Sequence, residues 1–131
     1  MKKVLKERAS SLSSYELNVL LPILMKGLET KKGKKNAVST KQILNGLQSN
    51  GLRVCERQVT RIINYIRVND LLMGLMTSFS GYYITNNEEE LIGYENHLLK
   101  REDSIKALRK SMIRQRKSMF KKPLHKQTQL F

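Results

Sequence analysis

From Glu88 to Phe120 the chain contains no proline, and no glycine after Gly93. Gly93 apart, the two residues that most readily break helices are thus withheld from a stretch much longer than an ordinary helix. Within it Leu91, Leu98, Ile105, Met112 and Met119 recur every seven residues. Ile92, Leu99, Ile113 and Phe120 run alongside, interrupted by Lys106. A seam of period seven predicts one long helix, roughly 50 Å at 1.5 Å per residue, that associates in the manner of a coiled coil. A small domain cannot cover such a length. Residues 88–120 are therefore expected to be a dimerisation helix, with Leu91, Leu98, Ile105, Met112 and Met119 as its contact line.

Charge along this helix is segregated. Residues 88–103 carry Glu88, Glu89, Glu90, Glu95, Glu102 and Asp103 against Lys100 and Arg101, whereas residues 104–126 hold nine Lys and Arg and no acid. The order suits the helix dipole, negative first and positive last. It also bears on pairing. Two parallel copies would set like charges side by side, and an antiparallel pair matches acid with base, so an antiparallel homodimer is expected.

The preceding residues read as short elements. Ser13 and Glu16 have the spacing of a capping box, and Leu17, Leu20, Leu21, Leu24 and Leu28 follow at helical intervals, predicting a helix over 14–29. Pro22 either kinks that helix or marks the start of a shorter one. The basic loop at 30–38, "TKKGKKNAV", ends in a candidate short strand. Ser39 and Gln42 repeat the capping spacing before Ile43, Leu44 and Leu47, and Asn50-Gly51 stops that helix. A third helix is expected from near Cys55 to Val68, with Val59, Ile62, Ile63 and Ile66 facing inward. "LLMGLMTSFSGYYIT", residues 71–85, predicts two strands around a turn at Ser80-Gly81.

With "STKQILNGLQSNGL", "CERQVTRIINYIRVNDLL" and "GYYIT" in this order, residues 14–87 resemble the winged helix-turn-helix domain, in particular the small ones carried by phages and prophages. The resemblance implies an α+β, mostly α fold: a winged helix-turn-helix followed by a long, coiled-coil-like C-terminal helix. Four segments result: a basic lead-in at 1–12, the winged-helix domain at 13–87, the helix at 88–120 and a flexible basic tail at 121–131.

Lys and Arg total 25 against 11 Asp and Glu, a formal charge of +14. Such an excess favours a polyanion, here double-stranded DNA. Opposite the apolar stripe of the third helix lie Arg57, Arg61 and Asn64, with Gln58 and Tyr65 at the flanks. Arginine can bond both acceptors of guanine, and Asn or Gln can do the same with adenine, so Arg57, Gln58, Arg61 and Asn64 are the candidate base-facing residues. The hairpin at 71–87 carries no charged side chain. Backbone contacts are expected instead from Lys31, Lys32, Lys34 and Lys35, from Lys41 and Arg53, and from the basic end of the last helix. Phe79, at the hairpin tip, suits wedging, stacking or a protein contact.

Catalysis finds little support. His97 and His125 have no Cys or carboxylate at ligand spacing, a single cysteine cannot make a zinc set, and no phosphate-binding glycine loop exists. Cys55 stands where a helix cap belongs. A non-enzymatic protein without metal or cofactor is expected. The longest apolar run, Val19 to Met25, contains a proline and is too short to span a bilayer, and "MKKVLKERASS" lacks the apolar stretch of a signal peptide. Together with the lone cysteine this points to no membrane partner and a cytoplasmic location.

The tail ends in "QTQLF". This resembles the peptide by which bacterial and phage replication proteins dock on the sliding clamp: Gln127, Leu130 and Phe131 match, while Thr128 and Gln129 replace the usual Leu and Ser or Asp. A glutamine and two apolar residues presented on an extended tail after Pro123 suit a pocket-bearing partner. The expected function is a DNA-binding protein of phage or mobile-element replication that docks on the clamp. A dimeric transcriptional regulator and an interaction protein that captures a host replication factor are the alternatives.

Overall fold

The computed structural model describes residues 12–121. Its first helix opens on the expected capping box: Ser13 Oγ accepts from the Glu16 N–H at 3.1 Å, and Glu16 Oε1 accepts from the Ser13 N–H at 2.8 Å. A π-helical turn, Glu16–Leu20, then runs directly into α1, Leu21–Glu29. This settles the role of Pro22. Its ring would press on the carbonyl four residues back, and a widened turn, with the Leu21 N–H donating to the Glu16 carbonyl, makes room for it. The chain neither stops nor restarts at the proline.

The second helix, α2 (Thr40–Ser49), is capped by Ser39 and Gln42 reciprocally, at 3.1 and 2.9 Å. α3 (Glu56–Val68) starts with the Cys55 N–H donating to Gln58 Oε1 at 3.0 Å. Both helices end in the same way. Leu52 N–H reaches back to the Leu47 carbonyl and Leu71 N–H to that of Ile66, with Gly51 (φ 81°) and Asp70 (φ 56°) taking the left-handed position between. Leu20, Leu24 and Leu28 pack with Leu47 and with the expected stripe of Val59, Ile62, Ile63 and Ile66, all buried. Each such side chain contributes roughly 1.5–3 kcal/mol by leaving water.

A two-stranded antiparallel hairpin closes this core, β1 (Leu75–Ser78) and β2 (Gly81–Ile84), with Ser78 opposite Gly81. Its loop is Phe79-Ser80, one residue earlier than expected. Its first strand begins at Leu75 rather than near Leu71, because Leu71 is used to finish α3 and Gly74 (φ 76°) turns the chain. The candidate strand at the end of the basic loop reduces to one bridge, in which Val38 and Tyr82 exchange backbone hydrogen bonds of 2.9 and 2.8 Å.

The last element is α4 (Glu88–Met119), 32 residues and thus about 48 Å long. Asn87 Oδ1 caps it by accepting from the N–H groups of Glu89 and Glu90. The chain divides into two compact units after Leu91, inside this helix. The first turn belongs with the hairpin, since Tyr83 Oη donates to Glu90 Oε1 at 2.9 Å. Burial, then the Glu90 bond and charge, raise the Tyr83 pKa above its ordinary value. The architecture is α+β and mostly α, with a small antiparallel sheet and a long C-terminal helix.

Candidate nucleic-acid interface

The amphipathic character of α3 fixes which of its side chains face outward. With Val59, Ile62, Ile63 and Ile66 buried, positions 57, 61 and 64 fall on the opposite side, and Arg57, Arg61 and Asn64 are indeed exposed. Their surroundings differ. Arg61 Nη2 donates to Glu16 Oε2 at 2.5 Å, and that carboxylate is only 1% exposed. Burial pushes the Glu16 pKa up, but the Ser13 N–H, the Arg61 guanidinium and a side-chain bond from Gln58 outweigh it and hold the group below its usual range. Glu16 is therefore ionised at neutral pH, and Arg61 supplies its counter-charge.

Three expectations for α3 change accordingly. Arg61 is committed to an intramolecular ion pair, although 43% of its side chain still meets solvent. Gln58 is half-buried and spends its amide oxygen on the Cys55 N–H. Tyr65 is buried instead of flanking the outer face. The outward residues left to meet a base are Arg57 and Asn64. Exposed Thr60 lies between them, its hydroxyl donating to the Arg57 carbonyl at 3.0 Å.

The basic loop is built against the hairpin. Gly33, at φ 84°, donates its N–H to the Ile84 carbonyl at 2.9 Å and opens a short 3-10 turn, Lys34–Asn36. Lys32, Lys34 and Lys35 are exposed, and Lys31 is half-buried. Lys34 Nζ sits 5.9 Å from the ring centroid of Phe79, within reach of a cation–π attraction. Phe79 itself is 98% exposed. The hairpin, uncharged in sequence, thus gains a cation at its tip from a residue far away in the chain. Lys41, in the first turn of α2, is exposed beside Thr40, whose hydroxyl bonds Tyr82 Oη at 3.4 Å. Arg53 is exposed between α2 and α3.

The other candidate chemistry is sparse. Cys55 is exposed, and the His97 ring stacks on Tyr94 with centroids 6.4 Å apart. Among the described residues no group of three His, Cys, Asp or Glu is placed to hold a metal ion, and no helix is long and apolar enough to cross a membrane. A groove of about 230 Å³ between α1 and α2 is floored by Leu24, Leu28, Ile43 and Leu47, and Lys31 is the single charged residue on its wall. Gln127, Leu130, Phe131 and His125 lie outside the described residues. Comparison with family models, with curated proteins and with solved structures finds no match.

Proposed function

We propose that residues 13–87 are a winged helix-turn-helix domain that binds double-stranded DNA, and that the protein serves replication of a phage or mobile element by also docking on the sliding clamp. The order of a helix, a bridge, two helices and a hairpin supports the fold assignment. In this reading α3 enters the major groove with Arg57 and Asn64 toward the bases. Lys32, Lys34, Lys35, Lys41 and Arg53 hold phosphates, fixing position without sequence choice. The observation that carries the reading is Lys34 over Phe79: it gives the hairpin tip a cation that its own sequence lacks. The DNA site contributes sequence-dependent affinity and "QTQLF" contributes a second, separate anchor. Two weak attachments on one protein strengthen each other through effective concentration.

Duplex binding measured by fluorescence anisotropy tests the first anchor. Arg57→Ala with Asn64→Ala should erase the preference for selected over random duplex by roughly tenfold or more, since each good base contact discriminates by about 1–3 kcal/mol. An unchanged preference refutes the placement of α3. Binding to purified clamp with and without residues 127–131 tests the second. Undiminished clamp binding by the truncated chain removes "QTQLF" as the anchor, and no clamp binding by either chain makes a transcriptional regulator the better reading.

A further inference from the structure

No residue of α4 is buried, and Leu98, Ile105, Leu108 and Met112 are 41%, 63%, 62% and 52% exposed. An apolar line at every first heptad position, Leu91 to Met119, joined by Leu108 and broken at the fourth positions by Arg101 and Gln115, is open to water along much of a 32-residue helix and calls for a partner surface. The identity of that partner is written beside the stripe. Counting Leu91 as the first position of each heptad, the fifth positions are Glu88, Glu95, Glu102, Arg109 and Arg116, three acids followed by two bases. The seventh positions, on the other flank, are Glu90, His97, Ser104, Ser111 and Ser118, a single acid and no base.

We infer that α4 pairs with α4 of a second copy of this chain, in antiparallel sense. In a parallel pair the fifth position of one helix lies against the seventh of the other. Glu95 would then face Glu90, the remaining Glu and Arg would face histidine and serine, and no opposite charges would meet. Reversing one helix brings fifth positions against fifth positions. The acids at 88, 95 and 102 then lie along the arginines at 109 and 116 of the other copy, and the same contacts repeat across the two-fold axis. An unrelated partner would need to mirror this column; a reversed copy does so by construction. This inference is independent of DNA binding and of the clamp peptide.

The test uses the full chain with Cys55→Ser and Ser118→Cys, spin-labelled at 118, with mass followed by sedimentation. A dimer is expected, with labels roughly 35–50 Å apart from a rise of 1.5 Å per residue on either side of a two-fold near mid-helix. A monomer, or a separation below about 20 Å, overturns the proposal. Charge exchange gives a second readout. Glu95→Arg with Glu102→Arg should weaken the dimer roughly tenfold or more, and adding Arg109→Glu and Arg116→Glu should restore it. Failure of that rescue in a correctly helical protein overturns the antiparallel sense.

Discussion

Arg61 and Arg57 look alike in the sequence, and the structure separates them sharply. Arg61→Ala leaves the Glu16 carboxylate, 1% exposed, with the Ser13 N–H and Gln58 as its remaining partners. Stranding a buried acceptor costs about 1–3 kcal/mol, and more where a charge is left with no partner at all. The lower half of that range applies here, because two bonds survive and the guanidinium is 43% exposed, so that solvent already screens the pair. A loss of about 1–2 kcal/mol corresponds to a drop in Tm of roughly 5–15 °C for a domain of this size. Arg57→Ala, on the exposed face, should stay within about 0.5 kcal/mol of the parent. The pH dependence adds a sign. A carboxyl held below its unfolded value stabilises the fold above the ordinary carboxylate range, and that contribution is lost as pH falls through the folded value. Urea unfolding followed by circular dichroism at pH 7 and near pH 3 should therefore show a gap between parent and Arg61→Ala that narrows in acid. Equal stability of the two arginine variants at pH 7, or a gap that persists undiminished near pH 3, would refute the assignment of Arg61 to Glu16.

Two glycines in left-handed conformations should respond unequally to alanine. Gly51→Ala meets open space and bears only the strain of φ 81°, about 1 kcal/mol. Gly81→Ala would also drive its Cβ into the Val38 carbonyl and the Ser39 nitrogen, so thermal denaturation should show a clearly larger loss there. For DNA binding, Lys34→Ala with Lys35→Ala should flatten the plot of log affinity against log salt by about 1.8, near 0.9 per phosphate contact released, for specific and random duplexes alike. An unchanged slope would remove the basic loop from the interface.

Local signals in this chain were legible and long-range ones were not. Ser13 with Glu16 and Ser39 with Gln42 mark helix starts because a capping box is written within four residues, and Asn50-Gly51 marks a stop because glycine takes the left-handed position. The end of α3 uses the same closure with Asp70 in place of glycine, which is why the following strand was expected four residues too early. Gly81 misplaced the hairpin loop for a related reason. It is a strand residue made necessary by the close passage of Val38, not a turn residue. The ion pair of Glu16 with Arg61 spans 45 residues, and no spacing rule announces it. Glu16 was visible as a cap; its second oxygen, turned toward α3, was not.

The same lesson bears on how the positive charge is shared. A sequence count treats every Lys and Arg as available to phosphate, and it placed the basic half of the last helix among the DNA contacts. Arg61 already has a carboxylate, so it adds little net field at the outward face of α3. If α4 pairs with its reversed copy, Arg109 and Arg116 are likewise taken by Glu95, Glu88 or Glu102 of the other chain, and the bases left over are Lys106, Lys110, Arg114 and Lys117. DNA binding would then draw chiefly on the cations of the basic loop, Lys34 at the hairpin tip among them, while the helix spends its heptad-flanking charges on orientation. The two roles can be pulled apart: charge exchange at 95, 102, 109 and 116 changes no total charge and should leave the salt slope of DNA binding where it was. A slope that moves with the exchange would mean that those arginines touch phosphate, and that the acidic half of α4 does not hold them.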